Sequence, residues 1–183
     1  MKSCFFIGHR EADERLLPIL TMTIERLIIE EQVLNPLSPS LATTYSNMGD
    51  LYGKQGKYDE ALKLFEKALK IREQVLDPLS PRLAISYNNI GLAYHKKGNN
   101  DEALKWLEKA VHIQEQVLDP LSDNLAISYV NIGFIYFRIK NYDKALKYFN
   151  KALPGCIKNF GEENDNTKML EQWIEECKQA LGE

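Results

Sequence analysis

The chain repeats itself every 42 residues. Gly49, Gly91 and Gly133 stand one such step apart, as do Ala61, Ala103 and Ala145. The segments EQVLNPLSP from Glu31, EQVLDPLSP from Glu73 and EQVLDPLSD from Glu115 keep the same step. A fixed period of roughly 20–50 residues specifies a stack of supersecondary units rather than one globular core. Each unit then buries its apolar face against its neighbours only, which leaves a long surface suited to binding.

Composition narrows the field further. The formal net charge of −3 provides no basic field to recruit nucleic acid or an anionic membrane. No apolar run approaches the roughly 20 residues of a membrane span, and the start, MKSCFFIGHR, has too short an apolar run for a signal-peptide core. Cys4, Cys156 and Cys177 are odd in number and share no CxxC spacing. They read as thiols in a reducing compartment, so the chain is expected to be cytoplasmic.

Within one unit the apolar spacing is helical. Leu83, Tyr87, Ile90, Gly91 and Tyr94 lie on one stripe of a helix A spanning about 81–97. Ser80-Pro81 starts it, with a side-chain oxygen at the N-cap and proline where no donor is needed. Ser38-Pro39 and Ser122-Asp123 are the equivalent starts. Gly98 ends the helix, as Gly56 does one unit earlier; in the third unit Lys140-Asn141 stands there, with asparagine expected to take the left-handed position. Helix B follows at about 100–118, its apolar face built on Ala103, Leu104, Leu107, Ala110 and Val111. Asp59–Lys63, Asp101–Lys105 and Asp143–Lys147 have i, i+4 spacing on its solvated side. A glycine in the middle of helix A costs about 1 kcal/mol relative to alanine. Its return in three units is explained by close helix–helix approach.

The ends depart from the pattern. Pro154-Gly155 is expected to break the third helix B. Met169, Leu170, Trp173, Ile174, Cys177 and Leu181 form the apolar stripe of a capping helix whose other side is charged. At the front, Lys2–Ile7 reads as a short apolar strand, followed by a helix from about Glu11 to Leu34 whose later part is in register with helix B. The expected organisation is residues 1–34 as strand plus capping helix, 35–155 as three repeats, and 156–183 as the C-terminal cap.

The pattern Tyr45…Met48-Gly49…Tyr52…Ala61…Phe65…Ala68, with its two copies 42 and 84 residues on, resembles the tetratricopeptide repeat. The long unit is similar to the repeats of kinesin light chains and related bacterial proteins. The resemblance covers about residues 31–181 and implies an all-α fold, a right-handed α-solenoid of antiparallel helix pairs. The start SCFFIGHR resembles the first strand and turn of SLOG or YpsA-like nucleotide-binding proteins; only about the first 30 residues carry that likeness.

The resemblance also implies where function sits. A helices of such arrays line a concave groove that takes an extended peptide, making the chain a protein–protein interaction scaffold rather than an enzyme. The expected groove residues are Ser46, Asn47, Asp50 and Lys54; Asn88, Asn89, Leu92 and Lys96; Asn131, Phe134 and Arg138. Thr43, Ile85, Ile127 and Val130 are the remaining positions off the packing stripe. Asn47, Asn89 and Asn131 present a ladder of amides, each with an acceptor and two donors for a peptide backbone; alternatively, one duplicated unit copied its asparagine. Lys54, Lys96 and Arg138 either compensate helix dipoles or attract an acidic segment or a C-terminal carboxylate. Phe137 either joins an apolar patch with Leu92 and Phe134 or meets the capping helix. No nucleophile–base pair, metal-ligand cluster or phosphate-binding loop is expected, hence no cofactor, and His9, His95 and His112 read as surface residues. An unpaired apolar strand at Ser3–Ile7, or the mismatched array ends, would lead to self-association.

Overall fold

The computed structural model describes residues 16–182. They form eight helices: α1 Leu16–Val33, α2 Pro39–Lys54, α3 Tyr58–Val75, α4 Pro81–Lys96, α5 Asn100–Val117, α6 Asp123–Arg138, α7 Tyr142–Phe160 and α8 Asp165–Leu181. No strand occurs among the described residues. The strand expected at Lys2–Ile7, the following Gly8-His9-Arg10 and the first turn of the expected N-terminal helix lie outside them.

The loops repeat as closely as the helices. Three residues join each A helix to its B helix; five join α1 to α2, α3 to α4 and α5 to α6, and four join α7 to α8. Short connections of this kind leave successive helices antiparallel. Each five-residue loop is an Asx turn: Asn35, Asp77 and Asp119 carboxamide or carboxylate oxygens accept from the amides of Leu37, Leu79 and Leu121 at 2.9, 2.8 and 2.7 Å. The serine after each turn then caps the coming helix. Ser38, Ser80 and Ser122 accept backbone amides of α2, α4 and α6.

Gly56 and Gly98 end helices α2 and α4 in the left-handed region, at φ 78° and 89°. In the third unit Lys140 adopts that conformation, at φ 62°, and not Asn141. Lys140 occupies the register position of the two glycines, while Asn141 accepts from the Lys144 amide and so caps α7. The expected break at Pro154-Gly155 does not occur; α7 runs through to Phe160. Gly155 makes this possible: a Cβ there would lie 2.9 Å from Cβ of Ala126 on α6, so the continued helix is packed against α6. Asn159 adds bonds from its amide nitrogen to the Gly155 and Leu121 carbonyls, at 2.7 and 2.6 Å. The i, i+4 surface pairs also rearrange. Lys97 takes Asp59, Glu102 takes Lys105, and none of the three expected pairs is present among the described residues. All are exposed, where water screening makes one partner worth about as much as another.

The described residues fall into two compact units, one up to Trp106 and one from Leu107 onward, with the division inside α5. In the first, α2 packs on α1 and α3, and α3 on α4. Leu20 and Leu27 of α1 join Leu41, Ala42, Tyr45, Met48 and Leu51 of α2 and Ala68 and Ile71 of α3 in one core. Gly49 sits against Phe65: an added Cβ would lie 2.6 Å from its ring. In the second unit α6 packs on α7, and α7 on α8. Gly133 repeats the notch, 2.6 Å from the ring of Phe149, which is fully buried. These contacts explain the mid-helix glycines as points of close approach.

A polar tie recurs at each step. Tyr45, Tyr87 and Tyr129 donate their hydroxyls to Glu31, Glu73 and Glu115 on the preceding B helix, at 2.6, 3.0 and 2.7 Å. Lys67 and Lys151 lie over the Tyr45 and Tyr129 rings, 4.9 and 5.1 Å from the centroids. Burial, reinforced by the acceptor carboxylate, pushes the Tyr45 and Tyr87 hydroxyls up to about 12. These tyrosines therefore serve packing, as their place on the stripe implied.

Candidate ligand-binding face of the A helices

In the first unit, the surface side of α2 and α4 gathers most of the expected residues. Asn47 is exposed on α2, and Asn89 is half-buried one repeat later on α4. Leu92 and Asn88 are half-buried, with the Asn88 side-chain oxygen sealed from solvent and lacking a hydrogen-bond partner. Ser46 is 8% exposed and belongs to the interior more than to the open face. Lys54 and Lys96 lie in the last turns of α2 and α4 and are exposed. Burial of its approach lowers the Lys96 ammonium below the ordinary lysine range.

A residue outside the expected set organises this face. Arg72 comes from α3, a B helix, yet reaches between the A helices. It donates to Ser86 Oγ on α4 at 2.7 Å and to the Ala42 carbonyl on α2 at 3.5 Å. Burial lowers its pKa, as does the like charge of Arg82, while Asp50 opposes the shift. Asp50 in turn is raised by burial of its carboxyl, against the pull of Lys54 and Arg72. Its side chain as a whole remains accessible; the shift describes the carboxyl end, close to the helices. Asp50 therefore stands within reach of two cations, Lys54 and Arg72, and Arg82 adds a third positive charge beside Arg72. The sequence did carry a signal for Arg72. Its 42-residue counterparts are Glu30, Gln114 and Cys156, so one position on the inner side of helix B changes chemistry at every step.

The second unit uses the same positions differently. Asn131 is half-buried on α6, and Arg138 is exposed in its last turn. Val130 is 1% exposed and lies in the core. Phe134, in the register of Asp50, packs against Trp173 of α8 with ring centroids 5.1 Å apart. Phe137 also meets Trp173, at 6.4 Å, and Trp173 stacks on Phe149 at 5.6 Å. Much of the expected apolar patch is thus covered by the C-terminal helix. Ser128, the counterpart of Ser86, is buried and donates to the Asn124 carbonyl at 3.0 Å. Cys156 and Cys177 are buried; burial, with the Glu176 charge adding to it, pushes the Cys177 thiol up to about 11.

Among the described residues, no group of three or more His, Cys, Asp or Glu side chains is placed to hold a metal ion. No described helix is long and apolar enough to cross a membrane.

Comparison with known proteins agrees with this geometry. The family model described as tetratricopeptide repeat matches residues 40–116, 82–158 and 124–170. No curated protein matches the chain. Among solved structures, a Podosopora anserina putative kinesin light chain with nearly identical TPR-like repeats is 20% identical, with a TM-score of 0.79 over 92% of this chain and 80% of that one. A point variant of that protein gives the same TM-score and identity over 92% and 79%. BtubC (BKLC) from P. vanneervenii is 22% identical, with a TM-score of 0.80 over 92% of this chain and 67% of that one. At these identities the likeness shows the fold, an α-solenoid of paired helices.

Proposed function

The chain belongs to the tetratricopeptide repeat family, whose members in general mediate protein–protein interactions without catalysis, and on that premise we propose that it is a scaffold binding an extended, acidic peptide along its A helices. The observation that carries this reading is the α2–α4 face of the first unit. There Asn47 and Asn89 offer their amides one repeat apart, and Arg72 bonds to both helices between them. An extended peptide has an unpaired N–H and C=O at every residue, and each asparagine amide answers both.

The charges favour an acidic ligand. Lys54, Arg72 and Arg82 outnumber Asp50, and the partly desolvated ammonium of Lys96 gains most from an arriving carboxylate. Asp50 is already displaced toward its neutral form, and a second negative charge would push it further the same way. In the second unit Asn131 and Arg138 repeat the amide and the cation, while Phe134 and Trp173 make the surroundings apolar. Buried thiols at Cys156 and Cys177 fit a reducing, cytoplasmic setting.

Fluorescence anisotropy with labelled peptides tests the reading. An acidic peptide in extended conformation should bind with micromolar affinity that weakens as salt is raised. Asn47→Ala with Asn89→Ala should remove binding while the helical circular dichroism and melting profile stay unchanged. Binding that survives the double change refutes the groove assignment.

A further inference from the structure

We propose that the outer face of α1 is a two-fold self-association surface that takes a second copy of this chain. This goes beyond the peptide-binding reading and does not depend on it. The inner face of α1 is occupied, since Leu20, Ile24 and Leu27 join the core with α2. Among the described residues the outer face is left open. Ile19, Met22, Ile29 and Val33 are 50%, 70%, 61% and 75% exposed. With Arg26 they follow steps of three and four residues, the spacing of a seam between two long helices. Four large apolar side chains along one stripe are not the scattered singles of an ordinary surface.

The repeat itself indicates what class of element belongs there. One 42-residue step on, Ile19, Thr23, Arg26 and Ile29 correspond to Ala61, Phe65, Ala68 and Ile71 of α3, all buried, with Phe65 against Gly49 of α2. The outer face of α1 thus continues the helix-pairing surface of the array by one unit. The substitution of Ile19 and Arg26 for the two alanines suits a seam of long side chains rather than a glycine-notched A helix.

Symmetry and charge select the occupant. Both copies present the same stripe, so pairing α1 with α1 about a two-fold axis buries both apolar faces at once. Arg26 donates from Nε to its own Glu30 at 2.8 Å. Glu25 stands exposed beside it, available to the Arg26 of the other copy. Head-to-tail stacking through α8 is disfavoured. The α8 residues in register with Tyr129, Gly133 and Tyr136 are Glu171, Glu175 and Lys178, a charged face with no apolar surface to match.

Sedimentation velocity of the full chain over a range of concentrations decides the matter. We expect a species of twice 21.1 kDa at the upper end. Met22→Lys with Ile29→Lys should return the mass to 21.1 kDa with helicity unchanged, because both side chains are exposed. Glu175→Lys on α8 should leave the assembly intact. A monomer at every concentration overturns the proposal. So does an oligomer indifferent to the double change, or one that dissociates on the α8 change.

Discussion

Two glycines on one helix should respond in opposite directions to the same substitution. Gly49 and Gly53 both lie in α2, one turn apart. Replacing either by alanine relieves the entropic cost of a helical glycine, a gain of about 0.5–1 kcal/mol. At Gly53 nothing lies within 4 Å of the new Cβ, so Gly53→Ala keeps that gain. At Gly49 the new Cβ would lie 2.6, 2.8 and 3.1 Å from three atoms of the Phe65 ring. Phe65 is 5% exposed, so its ring has little room to move and the two helices must separate. Overpacking of this kind costs about 1–3 kcal/mol, and contacts so short belong in the upper half of that range. Gly49→Ala should therefore lose about 1–2 kcal/mol net. For a chain of this size each kcal/mol moves Tm by about 2–4 °C. Urea unfolding followed at 222 nm measures both variants in the same unit, against the same wild type. Combining Gly49→Ala with Phe65→Leu should cost less than the two single changes added together, since the smaller side chain relieves the overlap. If Gly49→Ala stabilises as much as Gly53→Ala, close approach is not why the glycine stands there.

Two further outcomes follow from local geometry. Lys140→Gly should stabilise the chain by about 1 kcal/mol, because a lysine held at φ 62° pays the left-handed penalty that Gly56 and Gly98 avoid; a lower melting temperature by calorimetry would refute this. The tyrosine ties should fail in alkali. Tyr45 and Tyr87 are raised from 10.0 to about 12, chiefly by burial, as is Tyr136, which donates its hydroxyl to Glu108 at 3.2 Å; Tyr129 is raised as well. The folded state then holds protons the unfolded state has released. Stability is accordingly full below pH 10 and falls as the pH rises from there toward 12. Melting temperatures across that range, with tyrosinate absorbance at 295 nm, test the sign, and a flat profile contradicts it.

The fold was legible because its signals are local and repeated. Ser38, Ser80 and Ser122 mark helix starts through a bond that spans two or three residues. Apolar spacing marks the buried stripe of each helix, and three copies of one unit reinforce a pattern that a single copy would leave weak. Misreadings arose where a local preference met a tertiary one. Pro154 ends a helix by propensity, but Gly155 pressed on Ala126 holds α7 together. Asn141 is the better left-handed residue in isolation, but the 42-residue register gives that place to Lys140.

The candidate site was legible in part. Position on helix A set Asn47, Asn89 and Asn131 off the buried stripe, where Asn47 is exposed and the other two are half-buried, since the side of a helix follows from its 3.6-residue turn alone. It did not show that Ser46 and Val130 sink into the interior, or that Trp173 lies against Phe134 from 39 positions away. Nor did it place Arg72, which belongs to a B helix and reaches the A helices through Ser86 and the Ala42 carbonyl, 14 and 30 residues distant. The amino-acid sequence by itself determined the repeat, the helices, their caps and the glycine notches, each encoded within a few neighbouring residues. Only the tertiary structure decided which polar groups meet and which aromatic rings are covered, because charge pairing and burial depend on side chains brought together from separate helices.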